Sequence, residues 1–345
     1  MIFITIFLLL FLSVLIRVDK YKVEYVYLSF AIFLIFISSF RFESGLDYFN
    51  YKEIFNNFKD INISGEVLFW SLMKISKNIF DSYYFFVFIT SFITVTIQCF
   101  FLYKLARHKI FSLFIFFATM YVSYDLGLQR NALALSLCII SLFYLLKGKK
   151  LAAIIFVALA TLCHTTAILF IIPILFISLN RKKISNYYLI LLLSSFFIGL
   201  ILLNFKANLY LDELKPFVSD YILWKISFYT DSSNSYQVSG VNIYVIKLLV
   251  LSLVFFFFFR NDNNNFYARC YIIFSSIGLL LMFNVQMYTR LSSYSIIFEI
   301  LLVPLVVDKV EARSKILIFI VLFITYGTSL IRMVDIFKLN EFRFF

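Results

Sequence analysis

The sequence is a succession of apolar runs, each about as long as a membrane is thick. From MIFITIFLLLFLSVLI onward, runs of about 16 to 20 residues recur along nearly the whole length, and a helix needs about 20 residues to cross a hydrocarbon core of roughly 30 Å. A chain of this pattern is an integral membrane protein. Its 345 residues are 63% hydrophobic and 14% charged, with 47 Phe and 23 Tyr, whereas soluble domains average about half apolar and a quarter charged. No stretch is left for a soluble domain. The first run lacks the charged n-region and small-residue cleavage site of a signal peptide and reads as a retained first membrane helix.

The formal charge of +12 does not imply nucleic acid, because phosphate-backbone binding needs cations clustered on one accessible face. Here the basic residues sit in short clusters between apolar runs and serve to orient helices. Cys99, Cys138, Cys163 and Cys270 lie in or beside separate apolar runs without CxxC spacing, which suggests neither a disulfide framework nor a metal site. With His108 and His164 the only imidazoles, a zinc site would need carboxylates from distant segments. No metal and no cofactor are expected.

Hydropathy predicts about twelve crossings, at 2–16, 25–40, 83–103, 110–124, 131–146, 151–163, 165–179, 187–203, 241–259, 266–286, 291–307 and 316–331. The apolar stretch 151–178 would be roughly 42 Å long as one helix, too long for one crossing. KGKK precedes it and NRKK follows it, and short basic loops belong on the cytoplasmic side, so the stretch divides into two short helices near 161–166. The same reasoning divides 110–146 at YDLGLQR. RVDKYK, KLARHK, KGKK, NRKK, RNDNNN and DKVEARSK then share the cytoplasmic face. Outside lie two long segments, 41–82 and 204–240, and three tight turns, at 125–130, at His164 and at 288–290. The expected architecture is a single polytopic all-α membrane domain spanning 1–345.

Sorting the polar residues by face collects Arg41, Asp47, Arg130, His164 and Arg290 on the external side, each at or near a helix end. Charges held at such depth are costly and are functional candidates by default. Taken singly, Arg41 and Arg290 also suit an interfacial anchor, and His164 suits a packed, hydrogen-bonded imidazole. Arg130 is harder to explain away, since it begins a helix in the otherwise uncharged LGLQRNALALS, on the face where few cations are expected. His108, inside KLARHK, reads as part of a solvated loop. Glu299, mid-helix, either pairs with an interior cation or shapes a cavity.

Three arginines with a histidine and an aspartate make chemical sense around a diphosphate. Guanidinium groups bind phosphate oxygens in bidentate fashion and stay charged, while an imidazole or a carboxylate can accept the proton of an attacking hydroxyl. A polyprenyl diphosphate sugar supplies both, with its phosphates at the membrane surface and its tail among the helices. In RFESGLDYFNYKEIF, Gly45 permits a sharp turn. Tyr48, Phe49 and Tyr51 are positioned either to anchor at the interface or to stack on sugar.

These residues bring a family into view. RFESGLDYFNY from Arg41, QRNALAL from Gln129, LATLCHTT around His164, TRLSSY from Thr289 and EILLVP ending at Pro304, in this order over nearly the whole chain, resemble the EpsG-like, Wzy-type polysaccharide polymerases. The resemblance implies a multi-helix, GT-C-like glycosyltransferase that joins lipid-carried oligosaccharide repeat units of an O-antigen, lipopolysaccharide or capsule outside the bacterial inner membrane. It implies undecaprenyl-diphosphate-linked oligosaccharide as donor and acceptor, membrane lipid and a chain-length regulator protein as partners, and neither nucleotide sugar nor metal. Arg130, Arg290 and Arg41 are then expected to hold the diphosphate, and His164 or Asp47 to act as base. Gln129, Tyr48, Tyr51, Tyr288 and Trp224 are expected to touch substrate.

Three other readings use the same features. A flippase or exporter of lipid-linked oligosaccharide also needs many helices and a cationic interior, but calls for halves of repeated hydropathy, whereas the long external segments follow the second and eighth helices. A ligase passing finished glycan to another acceptor would use much the same residues. A membrane acyltransferase would want His164 facing the cytoplasm.

Overall fold

The computed structural model describes residues 2–16, 20–45, 47–57, 65–177, 184–204, 242–262, 265–337, 339 and 342–344. Trp224 and nearly all of the expected external segment 204–240 lie outside the described residues. The elements in chain order are α1 (Ile2–Leu15), α2 (Lys20–Ser39), β1 (Arg41–Phe42), α3 (Tyr48–Asn56), α4 (Val67–Ile79), α5 (Tyr83–Leu105) and α6 (Lys109–Phe116). A π-helix (Phe117–Asp125) continues α6, followed by α7 (Gln129–Leu146), α8 (Lys150–Cys163), a 3₁₀ helix (Thr165–Phe170), α9 (Ile171–Ile177) and α10 (Asn186–Asn204). The remainder is α11 (Ile243–Phe259), α12 (Asn265–Leu280), α13 (Val285–Ser292), α14 (Ser295–Lys309), α15 (Ala312–Ile336) and β2 (Arg343–Phe344). Every expected crossing falls on helical backbone, and the protein is an all-α membrane protein apart from the two-residue pairing of β1 with β2.

Five of the described helices are long and apolar enough to cross a membrane, namely those holding 22–39, 83–105, 129–146, 186–204 and 312–336, and further apolar helices are shorter. The outward face of α15 shows what solvent the chain is built for. Ile316, Leu317, Ile320 and Ile324 are 68%, 65%, 51% and 56% exposed, an apolar stripe that water would penalise and lipid would not.

The chain forms two compact units, one comprising 1–174 and 303–345, the other 175–302. In the first, α7 and α8 pack closely. Ala153, Val157 and Ala160 form one small-residue face of α8 and are buried, so the two backbones approach closely enough for the Ser141 hydroxyl to donate to the Ala153 carbonyl across the interface at 2.9 Å. Small residues act this way in membranes, where neighbouring helices gain little from apolar burial alone. Gly148, with φ of 75°, ends α7 in the left-handed conformation that helix C-termini favour.

Three features modify the expected arrangement. The run 110–124 is not a uniform α-helix, because from Phe117 its hydrogen bonds slip to the wider π spacing, ending with Leu126 N–H on the Tyr121 carbonyl at 3.1 Å. The segment 41–82 contains two amphipathic helices. Tyr48, Tyr51 and Phe55 form the buried stripe of α3, and Phe69, Met73 and Ser76 that of α4. Lys77 joins the pair by donating to the carbonyls of Phe55 at 2.5 Å and Asn56 at 3.1 Å, at the negative end of the α3 dipole. Third, the expected tight turn at 288–290 is corrected. Tyr288 and Arg290 lie within α13, whose start is capped by Asn284 accepting from the Met287 N–H at 3.1 Å. That cap and the close approach of Gly278 in α12 to Tyr288 and Ser292 hold the segment helical.

In the second unit α12 packs against α10 and α11. Glu299 of α14, 1% exposed, pairs with Lys247 of α11 at 2.6 Å, so of its two readings the structure selects pairing with an interior cation. A buried carboxylate in such a setting requires one.

Candidate functional site

The division of the 151–178 stretch falls at His164. Its backbone is extended, with φ of −153° and ψ of 117°, between the end of α8 and the 3₁₀ helix. The His164 N–H still closes α8 on Ala160, and the His164 carbonyl accepts from Ala167, both at 2.9 Å. The break is thus hydrogen-bonded on both sides, and it delivers a buried imidazole from the end of a helix.

What that imidazole meets was not singled out in the sequence. Its Nδ1 lies 2.9 Å from Oε1 of Glu66, while Oε2 of the same carboxylate accepts from Nη1 of Arg130 at 2.5 Å. Oε1 also receives the Thr165 N–H at 3.3 Å and its hydroxyl at 3.4 Å. Glu66 precedes α4 with φ of 50°, and Gly65 before it has φ of 70°. A left-handed conformation is unfavourable for a residue with a Cβ and persists where its surroundings enforce it. Here a charged carboxylate with side-chain exposure of only 6% lies between a guanidinium and an imidazole, and those two partners offset the cost of burying it. The only hint in the sequence is an acid directly after a glycine at the start of an amphipathic run, SGEVLFW.

Arg130, in the first turn of α7, is held from a second side by α3 and α4. Its Nε donates to the Tyr51 hydroxyl, and its guanidinium lies 5.3 Å from the Tyr51 ring and 5.6 Å from the Trp70 ring. Burial pushes the Tyr51 phenol well above its ordinary value, with Arg130 working against that shift, so Tyr51 stays a neutral donor and acceptor at any physiological pH. Arg130 itself is 30% exposed along its side chain. Next to it, the Gln129 amide is buried with neither its nitrogen nor its oxygen hydrogen-bonded among the described residues.

The remaining expected residues divide. Arg41 is 1% exposed, and its Nη1 donates to the backbone carbonyl of Asp125 at the end of the π-helix. Burial lowers its guanidinium from the ordinary value, opposed by Tyr83, Tyr121, Asp125 and Tyr48 around it. Gly45, with φ of 105°, brings this loop against the π-helix end so closely that an added Cβ would stand 2.3 Å from the Leu126 carbonyl oxygen. Asp47 caps the start of α3 and bears electrostatically on Tyr51. Tyr48 and Tyr51 are 2% and 3% exposed, so both rings are packed inward rather than displayed. Tyr48 meets Tyr83 edge-on at 5.1 Å, and Tyr51 meets Phe69 at 5.4 Å. Arg290, half-buried, and Tyr288, buried, belong to α13 of the second unit.

The geometry thus joins Arg130, Glu66, His164 and Tyr51 into one hydrogen-bonded group at the meeting of α3, α4, α7 and α8. A carboxylate on Nδ1 makes that nitrogen the proton carrier of a neutral imidazole, which leaves the lone pair on Nε2. The same carboxylate stabilises the imidazolium once Nε2 takes a proton. Such a group can accept a proton from a hydroxyl and hold an anion next to it.

No curated protein and no solved structure shows a match to the chain. The EpsG family matches over residues 24–342, a span that takes in every helix described above except α1. With its apolar helices, this chain belongs to the EpsG family and is a membrane protein of the polysaccharide-polymerase kind.

Proposed function

We propose that the protein is a glycosyltransferase that joins undecaprenyl-diphosphate-linked oligosaccharide repeat units into polysaccharide on the external face of the bacterial inner membrane. The observation that carries this reading is the Glu66 carboxylate shared by Arg130 and His164, an anion-holding group and a base set side by side. The acceptor hydroxyl attacks the anomeric carbon of the donor, the bond from that carbon to the diphosphate oxygen breaks, and the hydroxyl proton passes to Nε2 of His164. Glu66 stabilises the imidazolium, and the proton leaves to water or to the departing diphosphate. Asp47 remains the alternative acceptor of that proton.

Arg130 is fixed by Tyr51 and Glu66 but partly exposed, and its remaining N–H groups face the charge that develops on the leaving diphosphate. A guanidinium aligned in advance stabilises such charge without reorganisation at the moment of reaction. Arg290 serves the same diphosphate from the second unit, and the reaction as written needs no metal ion. Gln129 offers a buried donor and acceptor suited to sugar hydroxyls. Arg41 acts through the loop it fastens to the π-helix. The external position of the site rests on the distribution of basic loops.

The test is reconstitution of the purified protein with lipid-linked repeat unit, followed by gel analysis. A ladder of polymer sizes is expected. Repeat unit moved across the bilayer without a ladder would identify a flippase, and a single transfer of preformed glycan would identify a ligase.

A further inference from the structure

The far end of the first unit holds a feature unrelated to the site. The axis of α6 and the π-helix runs from Lys109 to Asp125, roughly 25 Å at 1.5 Å per residue, and at the Lys109 end a cavity of about 610 Å³ opens among α1, α2, α6, α14 and α15. Its volume falls in the range that takes a small organic ligand, about 300 to 1,000 Å³.

Six of its lining side chains are ionisable: Glu24, Arg107, His108, Lys109, Asp308 and Lys315. Four are matched in pairs, Lys109 with Glu24 at 3.3 Å and His108 with Asp308 at 2.5 Å. Arg107 and Lys315 form no ion pair among the described residues. The rest of the wall is apolar, with Phe111 and Phe319 to one side. Two uncompensated cations at the rim of an apolar recess, with the N-terminus of α6 opening on it, favour an anion attached to something greasy.

We propose that this cavity binds an anionic phosphate headgroup, Arg107 and Lys315 holding the phosphate oxygens and the apolar wall taking the first carbons of an attached chain. Basic recesses between membrane helices bind anionic lipid in this way. The chemistry admits two sources, a lipid headgroup or free phosphate. The proposal is independent of the glycosyl-transfer reading, since no residue of the cavity belongs to that site.

The full-length protein is tested in two settings, with melting temperature as the readout. In detergent it is titrated with inorganic phosphate, and in phosphatidylcholine nanodiscs it is compared across increasing fractions of phosphatidylglycerol. A saturable rise is expected. The Arg107→Gln/Lys315→Gln double variant should need about tenfold more ligand for the same rise, the loss of one good charge-assisted contact. A rise with phosphate alone assigns free phosphate, and a rise with phosphatidylglycerol only assigns the lipid. No rise with either on the unaltered protein, or an equal rise in the double variant, overturns the proposal. Val14→Trp, which fills the recess and keeps every cation, is the control should the double variant fail to fold. It should abolish the response, and a retained response would again overturn the proposal.

Discussion

A single carboxylate, Glu66, sets the direction of both Arg130 and His164. Replacing it with Gln keeps the shape and removes the charge. A hydrogen bond to a charged group is worth about 1.5 to 3 kcal/mol, so polymer formation by Glu66→Gln should fall about ten- to a hundredfold. Quantified ladders against membrane protein level measure this, and unchanged polymer would remove Glu66 from the mechanism. His164→Ala should cost about a hundredfold or more, the usual contribution of a positioned base. A larger loss for Asp47→Asn than for His164→Ala would transfer the base to Asp47. Arg130→Lys is a sharper probe than alanine, because an ammonium cannot reproduce the planar fork that engages Tyr51 and Glu66 together. Little rescue is expected from it.

At the scale of elements, the loop after α2 is fastened by close backbone approach. Gly45 combines φ of 105° with a Leu126 carbonyl 2.3 Å from any added Cβ, whereas Gly148 has φ of 75° and open space around it. Gly148→Ala should therefore cost only the left-handed strain, about 1 to 2 kcal/mol, and Gly45→Ala distinctly more, read as the order of melting temperatures in detergent. An equal effect of the two would mean that the loop does not bear on the π-helix. The α7–α8 interface makes a parallel case. Ala153→Leu adds bulk where the helices nearly touch and should destabilise by about 1 to 3 kcal/mol.

For the whole molecule, the question is which face carries the site and whether both units serve it. A single cysteine at Lys147 should react with an impermeant thiol reagent only from the cytoplasmic side, and one at Phe80 only from outside, in a background whose four native cysteines are buried. The reverse pattern would put the Glu66 group inside and exclude an external polymerase. Arg130→Ala and Arg290→Ala, one in each unit, should each abolish long polymer while leaving the protein in the membrane at normal level. Polymer of normal length in both variants would end the diphosphate-clamp reading.

Much of the site was legible because lipid makes charge expensive. Arg130 and His164 stand out in apolar sequence, and each proved to lie at a helix end, in one hydrogen-bonded group. Glu66 did not stand out, because it belongs to a polar connecting segment where acids are ordinary. Its importance arises from a left-handed turn and a contact made 64 residues away in sequence by Arg130 and 98 away by His164. Arg41 was legible as unusual but not as the residue that grips the Asp125 carbonyl. The inward packing of Tyr48 and Tyr51 was equally hidden, since the same rings suit an interface or a core.

The all-α membrane class, the positions of the crossings and the break at His164 were determined by the sequence alone, because each follows from a local balance of apolar length against charge. Only the tertiary structure decided the π-helix, the amphipathic pair α3 and α4, the helical setting of Arg290, the Lys247–Glu299 pair and the Arg130–Glu66–His164 group. Those depend on which carbonyl a given N–H reaches and which buried charge meets which counter-charge, and such pairings are fixed in space between residues far apart along the chain.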